Sequence, residues 1–263
     1  MKYMPLLAAL TLASACSAER PLRLTYIANE GVVVASGSRR VVIDALFDAP
    51  NPAYLAPSPA LLQDLMGGDL GDDSALVLVT HNHPDHFRAA VADRFLLAHP
   101  QSVMIAPADV VDVMRDSAEH WSAYADRVRP ISLGVGEGAR QTYAGVQVHA
   151  IRTLHSGGSE HPMNLLYLVR IGGRTLFHEG DSDSDPNVFR AVAAGGDTIQ
   201  LALVPYWYPF TDAGRYILSV LKPSYVGLMH LPVHEERFTP EVLAGLGDRV
   251  RLLSRPGEEW VVR

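Results

Sequence analysis

The stretch "THNHPDHF", residues 80–87, gathers His81, His83, Asp85 and His86 within six positions and takes three of the chain's 11 histidines. Imidazole and carboxylate are metal-ligand groups, and such density around a proline suits an ion site. His81 and His83 are two apart, so in an extended segment both rings point the same way and can face one ion. Pro84 turns the chain and prevents a regular helix. Asp85 and His86 then present ligands to a neighbouring position. Three further apolar runs end in ligand types: "RTLHSG" at His155, "LFHEGD" at Asp181 and "VGLMHL" at His230. If the four run ends converge on one edge, they supply five imidazoles and two carboxylates, enough for two ions. Nitrogen and oxygen donors without thiolate suit zinc, with manganese or iron as the other fits.

Two cations about 3.5–4 Å apart can share a water, bring its pKa to about 7 and polarise a carbonyl or phosphoryl oxygen. That is hydrolytic chemistry, and no serine or cysteine nucleophile is suggested beside it. Asp85 can orient the attacking group as well as bind metal.

Such ligands need rigid strands to aim them. "LRLTYIA", "GVVVAS" and "RVVIDAL" read as three strands separated by the tight turns "NEG" and "GSR". Residues 47–74 form a long connection with a short helix in "SPALLQDLMGG". "ALVLVT" is a strand apolar on both faces that runs directly into His81. "RAAVADRFLLA" and "PADVVDVMRDSAEHWSAYADRV" read as helices, the second opened by Pro107, with the strand "SVMIA" between them. Strands return with "QTYAGVQVHAIRTLH", "NLLYLVRIGG" and "RTLFHEGD", the last two joined by a "GG" hairpin. A helix near 186–194, the strand "IQLALVPYW", the helix "TDAGRYILSVLK", the strand "SYVGLMH" and a final helix and strand complete the chain. Strands and helices mix through both halves without a linker, which predicts one α/β (α+β) domain over 16–263, with sheets sandwiched by helices.

The chain has 263 residues, of which 48% are hydrophobic and 19% charged, enough for a sizeable core. Its formal charge is -7 and its cations are scattered, which argues against a nucleic-acid surface. The partner expected is a small-molecule substrate. The single cysteine, Cys16, allows no disulfide within one chain.

The pattern H-x-H-x-D-H after an apolar strand, followed by distant His, Asp and His, resembles the metallo-β-lactamase superfamily over nearly the whole chain after the leader. The resemblance implies an αββα sandwich of two mixed sheets flanked by helices, with a two-metal site along one edge. It places His81, His83 and His155 on the first metal, Asp85, His86 and His230 on the second, and Asp181 as the bridge. It sets Asp44, in "VVIDALF", beside the site, where it orients a ligand imidazole. An aspartate at the bridging position resembles the lactonase, phosphodiesterase and glyoxalase II-like branches rather than β-lactamases that use cysteine there. "VPYWYPFTDAGRYILSVLKPSYVGLMHLP" is similar to the branch of ascorbate-phosphate lactonases, with "PYWYP" replacing a proline-glycine pair common there. A metal-dependent, di-zinc hydrolase of an ester, lactone or phosphodiester is the expectation. An iron-dependent oxidoreductase of the persulfide dioxygenase kind, or a non-catalytic metal-binding lipoprotein, are the alternatives.

Around these ligands, His161 and His234 are candidates to protonate a leaving group. Tyr206, Trp207 and Tyr208 are candidates for a substrate-pocket wall, or for packing. The 47–74 segment with Tyr54 reads as a lid or a dimer contact. His99, His120 and His149 read as surface or hydrogen-bonded residues, and His178 as structural. Glu179 stands two before Asp181, and the Gly180–Asp181 pair favours Asp181 as the bridge.

"MKYMPLLAALTLASAC" has one early cation and an apolar run too short to span a bilayer. Residues 1–15 are expected to be a signal peptide. "LASAC" resembles the lipobox of bacterial lipoproteins, in which Cys16 is lipidated and becomes a membrane anchor; plain secretion is the alternative. The expected location is the periplasm or a membrane-anchored lipoprotein of a bacterium.

Overall fold

The computed structural model describes residues 19–48, 52–67, 74–158, 161–236 and 238–263. The expected leader and Cys16 lie outside them. In chain order the strands are β1 (Leu22–Ala28), β2 (Gly31–Ser36), β3 (Arg39–Ile43), β4 (Leu76–Leu78), β5 (Val103–Pro107), β6 (Val128–Ile131), β7 (Gly138–Tyr143), β8 (Val146–Thr153), β9 (Asn164–Ile171), β10 (Arg174–His178), β11 (Ile199–Pro205), β12 (Tyr225–Met229), β13 (Val250–Leu252) and β14 (Glu259–Val262). The helices are α1 (Pro59–Gly67), α2 (Ala89–Ala98), α3 (Ala108–Ser117), α4 (Pro186–Ala194), α5 (Asp212–Leu221) and α6 (Pro240–Leu246).

The strands form two sheets of seven, ordered β14-β1-β2-β3-β4-β5-β6 and β13-β12-β11-β10-β9-β8-β7. Each joins an antiparallel meander to a parallel set, so both sheets are mixed. Side-chain alternation explains the layering. Val32, Val34, Val41, Ile43, Leu76 and Leu78 enter the core between the sheets. Val33, Val42 and Val77, one residue out of phase, pack with Phe95 and Met114 of α2 and α3. In the second sheet Leu201 and Leu203 face the first sheet, whereas Ala202 and Val204 pack with Phe189 and Ile217 of α4 and α5. Strands apolar on both faces therefore sit in the middle of an αββα sandwich, the expected fold. Two bonds tie the sheets where the metal motif begins: the Tyr167 hydroxyl donates to the Val79 carbonyl at 2.7 Å, and the Leu165 N–H donates to Thr80 at 2.9 Å. Among the described residues no helix is long and apolar enough to cross a membrane.

One expected element divides. The sequence predicts a helix from Pro107 to Val128, but α3 ends at Ser117, two short 3₁₀ turns follow, and Val128 begins a strand. Asp93 of α2 is the cause. Its carboxylate accepts from the His120 backbone N–H at 3.0 Å, from the His120 ring at 2.9 Å and from the Tyr124 hydroxyl, drawing the chain off the α3 axis. Arg127 then donates to the Leu96, His99 and Ser102 carbonyls, meeting the open end of α2. The strand gained, β6, is an edge strand, which is where Pro130 is tolerated.

Burial raises the Asp93 pKa, but the hydrogen bonds from Tyr124 and His120 outweigh it and hold the carboxyl below the ordinary aspartate range. The bond to Asp93 in turn holds His120 above the ordinary imidazole range. A depressed acid stabilises the fold above its unfolded pKa of about 3.9, and that gain is lost as pH falls through the folded value. A raised imidazole stabilises below about 6.5, and that gain is lost as pH rises through its folded value. Asp93→Ala leaves the buried Tyr124 hydroxyl without its acceptor and is expected to cost about 1–3 kcal/mol. In thermal melts, the gap between wild type and variant is expected to be widest between about pH 4 and 6.5 and to narrow on both sides.

Candidate metal centre

Every ligand type singled out in the sequence stands just past the end of a strand, on one edge of the sandwich. His81, His83, Asp85 and His86 follow β4, His155 follows β8, Asp181 follows β10 and His230 follows β12. One donor atom from each of His81, His83, His155 and Asp181 lies within 4.8 Å of the others, and so does one from each of Asp85, His86 and His230. Asp181 lies between the two groups. Its Oδ2 is 3.3 Å from His155 Nε2 and 3.8 Å from His81 Nε2, while its Oδ1 is 3.4 Å from His230 Nε2 and 3.5 Å from His86 Nε2. His83 Nδ1 lies 3.0 Å from His81 Nε2. Apart from half-buried His83, all seven are buried.

Hydrogen bonds behind the rings fix which nitrogen faces inward. Thr80 donates its N–H and hydroxyl to Asp44, at 2.8 and 2.6 Å, so the hydroxyl oxygen is left to accept from His81 Nδ1 at 3.0 Å. His86 Nδ1 donates to Asp44 at 3.0 Å, and His155 Nδ1 to the Ser156 carbonyl. In all three the Nε2 lone pair is aimed at the Asp181 carboxylate. His155 Nε2, His230 Nε2 and Asp181 Oδ1 are buried with no hydrogen-bond partner. Lone pairs of imidazole and carboxylate converging at such distances repel unless a cation lies among them, so this donor set fits the ions that the sequence implies. Burial, then the nearby His86, holds His81 well below the ordinary imidazole range. At His86 burial is overcome by Asp181 and Asp44, which push its pKa up to about 10; the proton they hold on Nε2 is the one a cation among these atoms would displace to reach the lone pair.

Asp44 thus lies behind two of the rings, bonded to His86 directly and to His81 through Thr80. Asn164 has the corresponding task on the opposite side. Its Oδ1 accepts from the Asp181 N–H at 3.2 Å, and its Nδ2 donates to Thr153 Oγ1 and the Glu179 carbonyl. Gly180 permits this approach: it holds φ +60°, and a Cβ there would come within 2.7 Å of Asn164 Oδ1 and 2.8 Å of the Thr80 Cβ. Asn29, Asp44 and His230 adopt positive φ of 47°, 47° and 62°, strained for side-chain-bearing residues and concentrated at this edge.

A cleft of about 510 Å³ opens over His83, Asp85, His155, Asp181 and His230. Tyr54, Arg88 and Trp207 wall it. Tyr54 meets the His230 ring edge-on at 4.5 Å, and its segment bonds to the loop after His230 through Val233 N–H to Ala53 at 2.8 Å. Of the aromatic trio, Trp207 reaches the cleft; Tyr206 packs on Trp207 and Phe238. Tyr208 does not line it. The 3₁₀ turn through Pro209 directs Tyr208 into the core, where its hydroxyl donates to the buried Glu179. His161 is exposed and stacks on His155 at 4.6 Å, whereas His234 is exposed and outside the cleft lining. His178 has both ring nitrogens bonded, to the Glu30 carbonyl and the Gly180 N–H, a structural role as expected.

The sequence reading passed over Asn29 and Glu30, treating "NEG" only as a turn. Asn29 Nδ2 donates to Asp85 Oδ2 at 3.0 Å, and Glu30 is fully buried beside Asp181 and His230. Both stand at a strand end, the signal that located the seven candidate ligands.

Residues 39–234 match the family described as the beta-lactamase superfamily domain. A UPF0173 metal-dependent hydrolase of Pelotomaculum thermopropionicum is 27% identical over 256 residues, covering 90% of this chain and 98% of that protein. Among solved structures, Igni18, a metallo hydrolase from Ignicoccus hospitalis, superposes with a TM-score of 0.64 at 18% identity, over 92% of this chain and 99% of the other. CmlA, a diiron β-hydroxylase from Streptomyces venezuelae, shares the fold with a TM-score of 0.57 at 14% identity, over 93% of this chain and 54% of its own. With its sandwich, its converging strand ends and this match over most of its length, the chain belongs to the β-lactamase superfamily and has the metallo-β-lactamase fold.

Proposed function

We propose that this metal-dependent hydrolase works with two divalent cations, zinc by preference, and cleaves an ester, lactone or phosphodiester of a small molecule. The observation that carries the reading is the position of Asp181, whose two oxygens face two separate sets of inward lone pairs. His81, His83 and His155 would hold one cation, Asp85, His86 and His230 the other, and Asp181 both. When bound, such a pair supplies Lewis acidity toward a carbonyl or phosphoryl oxygen and acidifies water.

The chain's own groups divide the remaining tasks. Asn29 donates to Asp85 Oδ2, which fixes the carboxylate at the cleft floor, where it can accept a hydrogen bond from the attacking water. Trp207 and Tyr54 flank His230 and exclude solvent from an apolar part of the substrate. Among the described residues Arg88 is the one Lys or Arg lining the cleft, which puts a positive charge beside the substrate. His161, stacked on His155 at the rim, is the better placed of the two histidines proposed to protonate the leaving group. Export is part of the proposal. It is supported by the leader-like sequence of residues 1–15 and by Cys16 after "LASA".

A hydrolysis screen of lactones, phosphodiesters, thioesters and β-lactams, with zinc, manganese and iron forms, tests the reading. Asp181→Asn is expected to bind fewer than two cations and to lose at least the ~10²-fold in kcat/KM that removal of one preorganised charge costs. An Asp181→Asn protein with full turnover of every substrate, or iron with oxygen consumption in place of hydrolysis, would overturn it. Asp44→Asn is expected to keep the fold but bind metal about 10–100-fold more weakly, measured by titration against a chelator. For export, labelled palmitate fed to an expressing bacterium is expected to enter the wild-type protein and not Cys16→Ser.

A further inference from the structure

Glu30 has no stated task in the seven-ligand arrangement, yet it is among the most enclosed charged groups of the protein. Its side chain is 0% exposed, and neither carboxylate oxygen has a hydrogen-bond partner. The turn that carries it is held from several sides. The Tyr26 hydroxyl and the His230 N–H donate to the Asn29 carbonyl at 3.0 and 3.1 Å, and His178 donates to the Glu30 carbonyl at 3.0 Å. Gly31 lies so close to the Asp44 backbone that a Cβ would come within 2.7 Å of its carbonyl oxygen. Glu30 is therefore fixed where water does not reach it.

Two groups of ligand-type residues surround this carboxylate. Asp44 and His178 lie on one side, with donor atoms within 4.8 Å of it and of each other. Both are committed: Asp44 accepts from Thr80 and His86, and His178 bonds Gly180 and the Glu30 carbonyl. Asp181 and His230 lie on the other side, again within 4.8 Å. There Asp181 Oδ1 and both His230 ring nitrogens lack partners. Each member of this second group, Glu30 included, thus has at least one donor atom without a hydrogen-bond partner.

We propose that Glu30 is an eighth metal ligand, giving a carboxylate oxygen to the cation held by Asp85, His86, His230 and Asp181. The two sites then differ in chemistry. One offers three imidazoles and a shared carboxylate, a set that suits tetrahedral zinc. The other offers three carboxylates and two imidazoles, an oxygen-rich set of higher coordination that suits manganese or ferrous iron. The protein would thus select a mixed pair rather than two copies of one metal. This inference rests on the two-cation reading above.

The test uses the full chain, stripped of metal, given one equivalent of Zn²⁺ and titrated with Mn²⁺, with free Mn²⁺ read by its paramagnetic resonance signal. Wild type is expected to take up one Mn²⁺. Glu30→Gln is expected to bind it at least ~10-fold more weakly while retaining zinc. Melting of the metal-free proteins separates a ligand from a structural residue: the Gln variant, relieved of a buried carboxyl group that no hydrogen bond satisfies, is expected to melt at or above the wild-type temperature. A crystal of the manganese-loaded protein is expected to place a Glu30 oxygen in the metal's coordination shell. Unchanged Mn²⁺ affinity in Glu30→Gln, or Glu30 outside that shell, overturns the inference and leaves the two-cation reading standing. Only one cation in the wild type overturns both. Should Glu30→Gln fail to fold, Glu30→Asp, which keeps the charge but withdraws the oxygen by one methylene, carries the same expectation for Mn²⁺.

Discussion

Five carboxylates, of Glu30, Asp44, Asp85, Glu179 and Asp181, are buried along one edge of the sandwich, and no lysine or arginine is among the buried described residues. Carboxylates taken out of water without compensation cost several kcal/mol each even after relaxation. Histidines and hydrogen bonds supply part of the compensation here: Thr80 and His86 serve Asp44, Asn29 serves Asp85, and Tyr208 serves Glu179. No hydrogen bond reaches either oxygen of Glu30 or Asp181 Oδ1. Carboxyl oxygens left without hydrogen bonds at this edge suit a bound cation, in keeping with the metal-dependent hydrolases this chain resembles. Burial raises the pKa values of Glu30 and Glu179, whereas at Asp181 the surrounding histidines outweigh burial and keep the carboxyl well below its usual range. The group spanning both ligand sets is thus the one held ionised.

The rest of the architecture keeps this charge in place. Strands apolar on both faces give the sheets their stiffness, and each ligand is displayed within a few residues of a strand end. Position is then refined by short-range devices: an Asp44–Thr80–His81 chain on one side, an Asn164–Asp181 bond on the other, and left-handed backbone at Asn29, Asp44 and His230. Such backbone persists only where neighbouring contacts over-determine it. Here those contacts include the bonds of the Tyr26 hydroxyl and the His230 N–H to the Asn29 carbonyl and of the Asp44 N–H to the Leu78 carbonyl.

Much of this was legible in the sequence because metal ligands have restricted chemistry and strands have a period of two. The motif at 81–86, the strand ends at 155, 181 and 230, and Asp44 come together as the resemblance implied, and so does the αββα layering. What escaped depends on long-range contacts. "NEG" has the composition of a hairpin turn, and nothing local tells that its two polar side chains point inward. The break after Ser117 follows from Asp93, which is 27 residues before His120 and on another helix. Tyr208 has the same aromatic character as Trp207; its inward direction depends on Glu179, which comes from a neighbouring strand end.

The chain positions of the ligands also bear on when the centre can form. The first set is complete only with Asp181, and the second waits for His230, near the end of the chain. The first sheet, apart from its last strand β14, carries His81, His83, Asp85 and His86 and precedes His155, Asp181 and His230 in the chain. That half of the fold alone lacks the carboxylate that joins the two donor groups. The centre is therefore assembled across both sheets, and a chain cut before His230 has neither the second donor group nor the segment that closes it.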